Sequence, residues 1–158
     1  MTYTDTLEPL IEFNIRGTEF SLLDPGNTVA AETFCDLGYE PAVADLLDKI
    51  EARHPNAVFF DIGALHGYYS ALVSSRYEGW RAVAFEPNPE AFAILRQNFR
   101  TLGIRGDARQ QALNDAGEDL HFKGRTIVDP GTHGAIVVPG TRFDEAHTEF
   151  EAPAKVVK

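Results

Sequence analysis

Between Leu10 and Leu23 apolar and polar residues alternate loosely across Gly17. That period predicts a β-hairpin, Ile11–Arg16 and Glu19–Leu23, closed off by Asp24-Pro25-Gly26. The spacing then changes. Val43, Leu46, Leu47 and Ile50 step by 3, 1 and 3, one helical stripe on a segment that opens at Pro41 and runs to about Arg53. Proline suits a first helical turn, where its missing N–H costs nothing. After Pro55-Asn56 comes an apolar run, Ala57–Ile62, read as strand one. A helix from about Gly67 to Arg76 carries Tyr68, Tyr69, Leu72 and Val73 on one face. Arg81–Glu86 is strand two. Asn88 has the position of an N-cap with Pro89 first in the helix; Phe92, Leu95, Phe99 and Leu102 step by 3, 4 and 3, and Gly103 stops it. Ala108–Leu113 is strand three.

Strand, helix, strand, helix, strand predicts an α/β fold: a mostly parallel sheet, wound right-handed, with helices on both faces. Beyond Asp115 the pattern breaks into short strands, Asp119–Lys123 and Ala135–Pro139, around a Gly- and Pro-containing loop. Thr141–Glu149 is polar with room for a short helix. Ala154–Lys158 begins a fourth strand. The expected organisation is an N-terminal hairpin extension over residues 1–36 and a partial nucleotide-type domain over 37–158.

Composition narrows the class. The 158 residues are 44% hydrophobic and 11% aromatic, enough for one core. A net charge of −10 is repelled by phosphate backbones and anionic lipid, so no nucleic-acid or membrane partner is expected. Arg96, Arg100, Arg105 and Arg109 read as a solvated helix face and loop. The single cysteine, Cys35, forms no intrachain disulfide, which fits a reducing cytoplasm. Met1–Pro9 lacks the basic and apolar regions of a signal peptide. The scattered histidines show no metal-ligand spacing, so no metal is expected. Trp80 precedes strand two and reads as a packed edge residue.

The chemistry sits between Val58 and Glu86. In an open α/β sheet the ligand lies beyond the carboxyl ends of the strands. Asp61, the loop Ile62-Gly63-Ala64-Leu65-His66-Gly67 and Glu86 share that edge. Gly63 and Gly67 can take positive φ and let backbone approach a ligand. The amino end of the following helix favours a carboxylate or phosphate. A carboxylate at the tip of strand two, Glu86, can accept both hydroxyls of a ribose. The loop lacks Gly-x-Gly-x-x-Gly and any Gly-Lys-Ser/Thr, which disfavours a dinucleotide and excludes a P-loop. An acid two residues before the first glycine would repel a pyrophosphate but suit a cationic ligand. S-adenosylmethionine fits that requirement, with its carboxylate at the helix end, its ammonium near Asp61 and its ribose on Glu86. His66 lies in the loop, where ligand contact and solvent exposure are equal alternatives. Asp61 has a second reading as a cap of the helix, and Tyr68 and Tyr69 as core or pocket wall.

The runs Asp61-Ile62-Gly63-Ala64-Leu65-His66-Gly67-Tyr68-Tyr69-Ser70 and Phe85-Glu86-Pro87-Asn88-Pro89-Glu90 resemble the FkbM family of class I S-adenosylmethionine-dependent methyltransferases. Tyr39-Glu40-Pro41 and Ala112-Leu113-Asn114-Asp115-x-Gly117 are weaker echoes, and the resemblance spans roughly residues 37 to 123. It implies a Rossmann-like sheet and a cofactor site in which Asp61, Gly63, Ala64, Gly67 and Tyr68 wrap the methionine part. Glu86 would hold the ribose, with Pro87 and Asn88 beside the adenosine; Ala112, Leu113 and Asn114 would border the adenine. The implied activity is O-methylation of a small-molecule or sugar hydroxyl. Two departures stand out. Leu65 and His66 replace an Asn and an aliphatic residue, and the acidic segment that follows strand four in the family is absent after Lys158. The expectation is a cofactor-binding half with no assignable general base, and an uncovered sheet edge open to self-association. A non-catalytic nucleoside-binding fragment and, behind it, a nicotinamide oxidoreductase are the alternatives.

Overall fold

The computed structural model describes residues 10–25 and 40–158; Met1–Pro9, Cys35 and Tyr39, on which some expectations fall, lie outside the described residues. Four strands form one parallel sheet: β3 (Ala57–Ile62), β4 (Trp80–Phe85), β5 (Gly106–Arg109) and β11 (Lys155–Val157). Their order across the sheet is β11-β3-β4-β5. Counted as first to fourth along the chain, that is the 3-2-1-4 half of a doubly wound sheet, and the order reverses between β3 and β11.

The helices α1 (Pro41–Glu51), α2 (Tyr68–Arg76) and α3 (Pro89–Thr101) connect or precede these strands. Asn88 caps α3 as its sequence position predicts, its Oδ1 accepting from the backbone N–H groups of Glu90 and Ala91 at 3.0 Å each. β3 is a near-continuous apolar run because both its faces are covered. Ala57, Phe59, Ala82 and Ala84 turn to one side, where Leu47 of α1, Leu72 and Val73 of α2 and Leu95 and Phe99 of α3 meet them. The hairpin β1 (Leu10–Ile15) and β2 (Thr18–Leu23) adds Phe13, Ile15, Phe20 and Leu22 to that side. Val58, Phe60, Val83 and Phe85 turn the other way, onto Ala146, Phe150 and Phe143. Phe59 and Phe60 are fully buried, each contributing on the order of 2–3 kcal/mol by leaving water.

The two faces are covered unequally. Among the described residues the second is covered by the four-residue helix α4 (Phe143–Ala146) and the 3-10 turn His147–Glu149, with Leu113, Phe150 and Ala152 beside them. Arg109 holds that cover in place, donating to Glu149 at 2.8 Å with its guanidinium 4.7 Å from the Phe150 ring centre. Arg105 donates to the Tyr77 carbonyl at 2.7 Å. Arg105 is solvent-exposed, as its position in the arginine cluster suggests, yet both it and half-buried Arg109 also tie segments together through these contacts. Trp80 begins β4, is 1% exposed, and donates its indole N–H to the His54 carbonyl.

Strand three departs from expectation. Instead of one strand over Ala108–Leu113, the chain runs along β4 as far as Arg109, then leaves the sheet. β6 (Ala112–Leu113) pairs in parallel with β10 (Gly140–Thr141). Both pieces are extended, so their residues look alike in sequence; which partner each takes is a long-range choice. The segment between folds as an antiparallel sheet of β8 (Thr126–Val128), β7 (Leu120–Lys123) and β9 (Ile136–Val138). Among the described residues no helix is long and apolar enough to cross a membrane.

Candidate functional site

The carboxyl edge of β3 and β4 is built from backbone hydrogen bonds that the glycines permit. Gly63 and Ala64 both donate to the Phe85 carbonyl, at 2.9 and 3.1 Å, folding the loop back over β4. Gly63 has φ +70° and a Cβ added there would meet no atom within 4 Å, so the loop presents open space on that side. Gly67 caps α2 at φ +92°, and a Cβ there would lie 2.7 Å from Leu95 Cδ1. One glycine thus faces outward and the other lets the loop sit on α3.

Glu86 locks the same loop. It is only 6% exposed, and its two carboxylate oxygens accept from different backbone N–H groups, Oε2 from Leu65 and Oε1 from Asn88, both at 2.8 Å. Each oxygen keeps a second lone-pair direction. Leu65 itself sits at φ +50°, unusual for a leucine, and its N–H bond to Glu86 helps hold it there. Half-buried Pro87 lies between. Asn88 spends its amide on α3 and on the Gly124 carbonyl, which it reaches at 3.0 Å.

Asp61 takes the capping alternative. Its Oδ2 accepts from the Ser70 backbone N–H at 3.1 Å and the Ser70 hydroxyl at 2.7 Å, in the first turn of α2. The side chain is buried. Burial pushes its carboxyl above the usual carboxylate range; the two Ser70 donors and the positive charge of Lys158 pull it back, while Glu86 adds to the upward push. Tyr68 turns its ring into the core, 5.4 Å from Phe13 and 5.7 Å from Phe20, and offers the edge its backbone. Beyond β5, Ala112 is buried with its N–H on the Pro139 carbonyl. Leu113 packs with the second core cluster. The Asn114 amide is closed onto Glu118, donating to its carbonyl and accepting its N–H.

Two residues carry the exceptions: His66, for which the sequence left ligand contact and exposure open, and Gln111, which the sequence does not mark. His66 is 5% exposed, not at the surface; its Nδ1 lies 2.5 Å from Asp24 Oδ1, and its Nε2 is buried without a hydrogen-bond partner. Gln111 Oε1 is the second such atom among the described residues. Buried polar atoms without a partner are uncommon in folded proteins. Gln111 lies between β5 and β6, at the same sheet edge as Glu86. No local motif marks it; only the break in strand three singles it out.

No family model matches the chain, and no curated protein matches it. Among solved structures it is similar to PH0793 of Pyrococcus horikoshii, described as a candidate transferase, and to TYW2 of the same organism in complex with MeSAdo. Each comparison gives 18% identity and a TM-score of 0.40 over 67% of this chain. The chain spans 42% of either of those chains, and at that similarity neither carries a role across.

Proposed function

We propose that the chain holds S-adenosylmethionine and serves a methyltransferase of the FkbM kind acting on a hydroxyl of a small molecule or sugar. The observation that carries the reading is Glu86: a buried carboxylate at the tip of the second parallel strand, beside a glycine loop with open space over Gly63. A ribose with two adjacent hydroxyls satisfies the remaining lone pairs of such a carboxylate, at the end of the sheet where nucleosides bind. The orphaned Gln111 Oε1 suits an exocyclic amine and would accept from the adenine amino group. When bound, the cofactor supplies an electrophilic methyl group.

The residues divide the remaining work. Gly63, Ala64 and Gly67 bring backbone close to the ligand; the first turn of α2 meets its carboxylate. Ala112, Leu113 and Asn114 border the base. Asp61 acts through α2, which it caps, and keeps the helix amino end aimed at the site. The loop lacks the Gly-x-Gly-x-x-Gly spacing of a dinucleotide site, which favours this ligand over a dinucleotide. A cytoplasmic setting and a small-molecule acceptor belong to the same proposal, as does self-association along β11, whose Val157 is half exposed.

Calorimetric titration with S-adenosylhomocysteine tests the reading. Wild type binds it, and Glu86→Ala lowers the affinity at least tenfold. Clear binding of NAD with no heat from S-adenosylhomocysteine would overturn the proposal.

A further inference from the structure

The point where the strand order reverses, between β3 and β11, carries a group of charges outside the loop. Lys158 follows β11; its N–H donates to the Phe60 carbonyl at 3.0 Å and its carbonyl accepts from Ile62 at 2.9 Å, so it stands beside Asp61. Its ammonium lies 3.6 Å from Glu40 Oε2 and 4.3 Å from the centre of the Tyr69 ring. The Tyr69 hydroxyl donates to the same Glu40 oxygen at 2.7 Å. Three elements therefore converge here: the entry to α1, the first turn of α2 and the end of β11.

Glu40 reaches this place at a cost. Its backbone is left-handed, φ 50° and ψ 67°, and the next residue is Pro41. A residue before proline is driven toward extended backbone, and a side chain disfavours positive φ. Strain of this kind marks functional positions. Stability does not account for the ion pair, since the Lys158 and Glu40 side chains are 35% and 44% exposed and such pairs contribute little.

We propose that Glu40 and Lys158, with Tyr69 between them, form the amino-acid end of the cofactor site, the carboxylate taking an α-ammonium and the ammonium an α-carboxylate. This rests on the functional reading above; it places the ammonium on Glu40 rather than, as the sequence suggests, on Asp61, and adds Lys158 to the first turn of α2 as a partner of the carboxylate. Asp61 is buried and committed to Ser70, whereas Glu40 and Lys158 are open to solvent at the same edge. A zwitterion with both charges on one carbon matches a carboxylate and an ammonium set side by side. A phosphate would find the lysine but be repelled by Glu40. The arrangement also orders the ligand along the sheet: base beyond β5, ribose at β4, amino acid between β3 and β11.

The test compares S-adenosylhomocysteine with 5′-methylthioadenosine, which has the nucleoside and sulfur but no amino acid. Calorimetry on wild type, Glu40→Gln and Lys158→Met reads the difference. Glu40→Gln is expected to weaken S-adenosylhomocysteine about tenfold and leave methylthioadenosine within about twofold. Lys158→Met shows the same selectivity. Equal effects on both ligands, or none, overturn the assignment while leaving the nucleoside reading intact. If wild type binds neither ligand, both readings fall. Glu40→Gly separates folding from binding: it relieves the left-handed backbone, so thermal stability holds or rises while S-adenosylhomocysteine affinity falls.

Discussion

His66 Nδ1 lies 2.5 Å from Asp24 Oδ1, joining the glycine loop to the end of the hairpin through two buried side chains. The other ring nitrogen, Nε2, is buried without a hydrogen-bond partner, so the Asp24 contact is the one polar anchor of this imidazole among the described residues. The loop that shapes the candidate site is thereby tied to a segment more than forty residues away.

Removing one member of this pair strands the other. Asp24→Ala is expected to destabilise by about 1–3 kcal/mol, because a second ring nitrogen then lacks a partner. Replacing both, Asp24→Leu with His66→Leu, recovers most of that loss. A double-mutant cycle by urea denaturation measures it, with a coupling of at least about 1 kcal/mol expected.

Asn98 is fully buried and closes the same junction from α3. Its Oδ1 accepts from the Leu23 N–H at 2.8 Å; its Nδ2 donates to the carbonyls of Leu23 at 3.0 Å and His66 at 2.8 Å. Asn98→Ala leaves three buried backbone groups unpaired and is expected to cost about 3 kcal/mol. Hydrogen exchange at the Leu23 amide accelerates by more than global unfolding accounts for.

The two loop glycines respond differently to alanine. Both have positive φ, so each substitution incurs about 1 kcal/mol of backbone strain. Gly67→Ala adds a clash with Leu95 and is expected to cost about 2–3 kcal/mol. Gly63→Ala has room and stays near the backbone cost, but its methyl group enters the space over the loop and lowers S-adenosylhomocysteine affinity. Thermal melts and calorimetry separate the two effects.

Gln111 is expected to read the base. Wild type prefers S-adenosylhomocysteine to S-inosylhomocysteine, because the amide oxygen accepts from an amine and repels a carbonyl. Gln111→Leu narrows that preference and leaves the fold stable, since it removes a buried acceptor that has no partner. Equal discrimination by both proteins would place the base elsewhere.

Acid stability follows Asp48. The Arg76 guanidinium, 2.7 Å away, with the Tyr77 hydroxyl and Arg16, outweighs partial burial and holds its carboxyl down at about 2. The folded value lies below the unfolded one, so this stabilisation is complete above the ordinary carboxylate range. It is lost as pH falls from about 4 through 2. Asp61 opposes it: its raised value favours the folded state when protonated, so its contribution grows as pH falls through the folded value. The Asp48→Asn variant should show a shallower loss of stability below pH 4 in acid titrations followed by circular dichroism.

Much of the architecture is legible without coordinates. The apolar run of β3, the helical stripe of α3 and the Asn88-Pro89 cap depend on neighbours in the chain, and local periodicity reports such preferences. The glycine loop and the acid at the tip of β4 are legible for the same reason: turn geometry and spacing are local. Tertiary structure decided what spacing cannot encode. Spacing leaves Asp61 open between ligand and helix cap and His66 between ligand and solvent; Ser70 claims one and Asp24 the other, because burying a polar group without a partner is costly. The division of strand three between two sheets, the orphaned Gln111 and the meeting of Glu40, Tyr69 and Lys158 arise from contacts between distant segments. Such contacts depend on which surfaces the packed sheet brings together, and no periodicity along the chain records them.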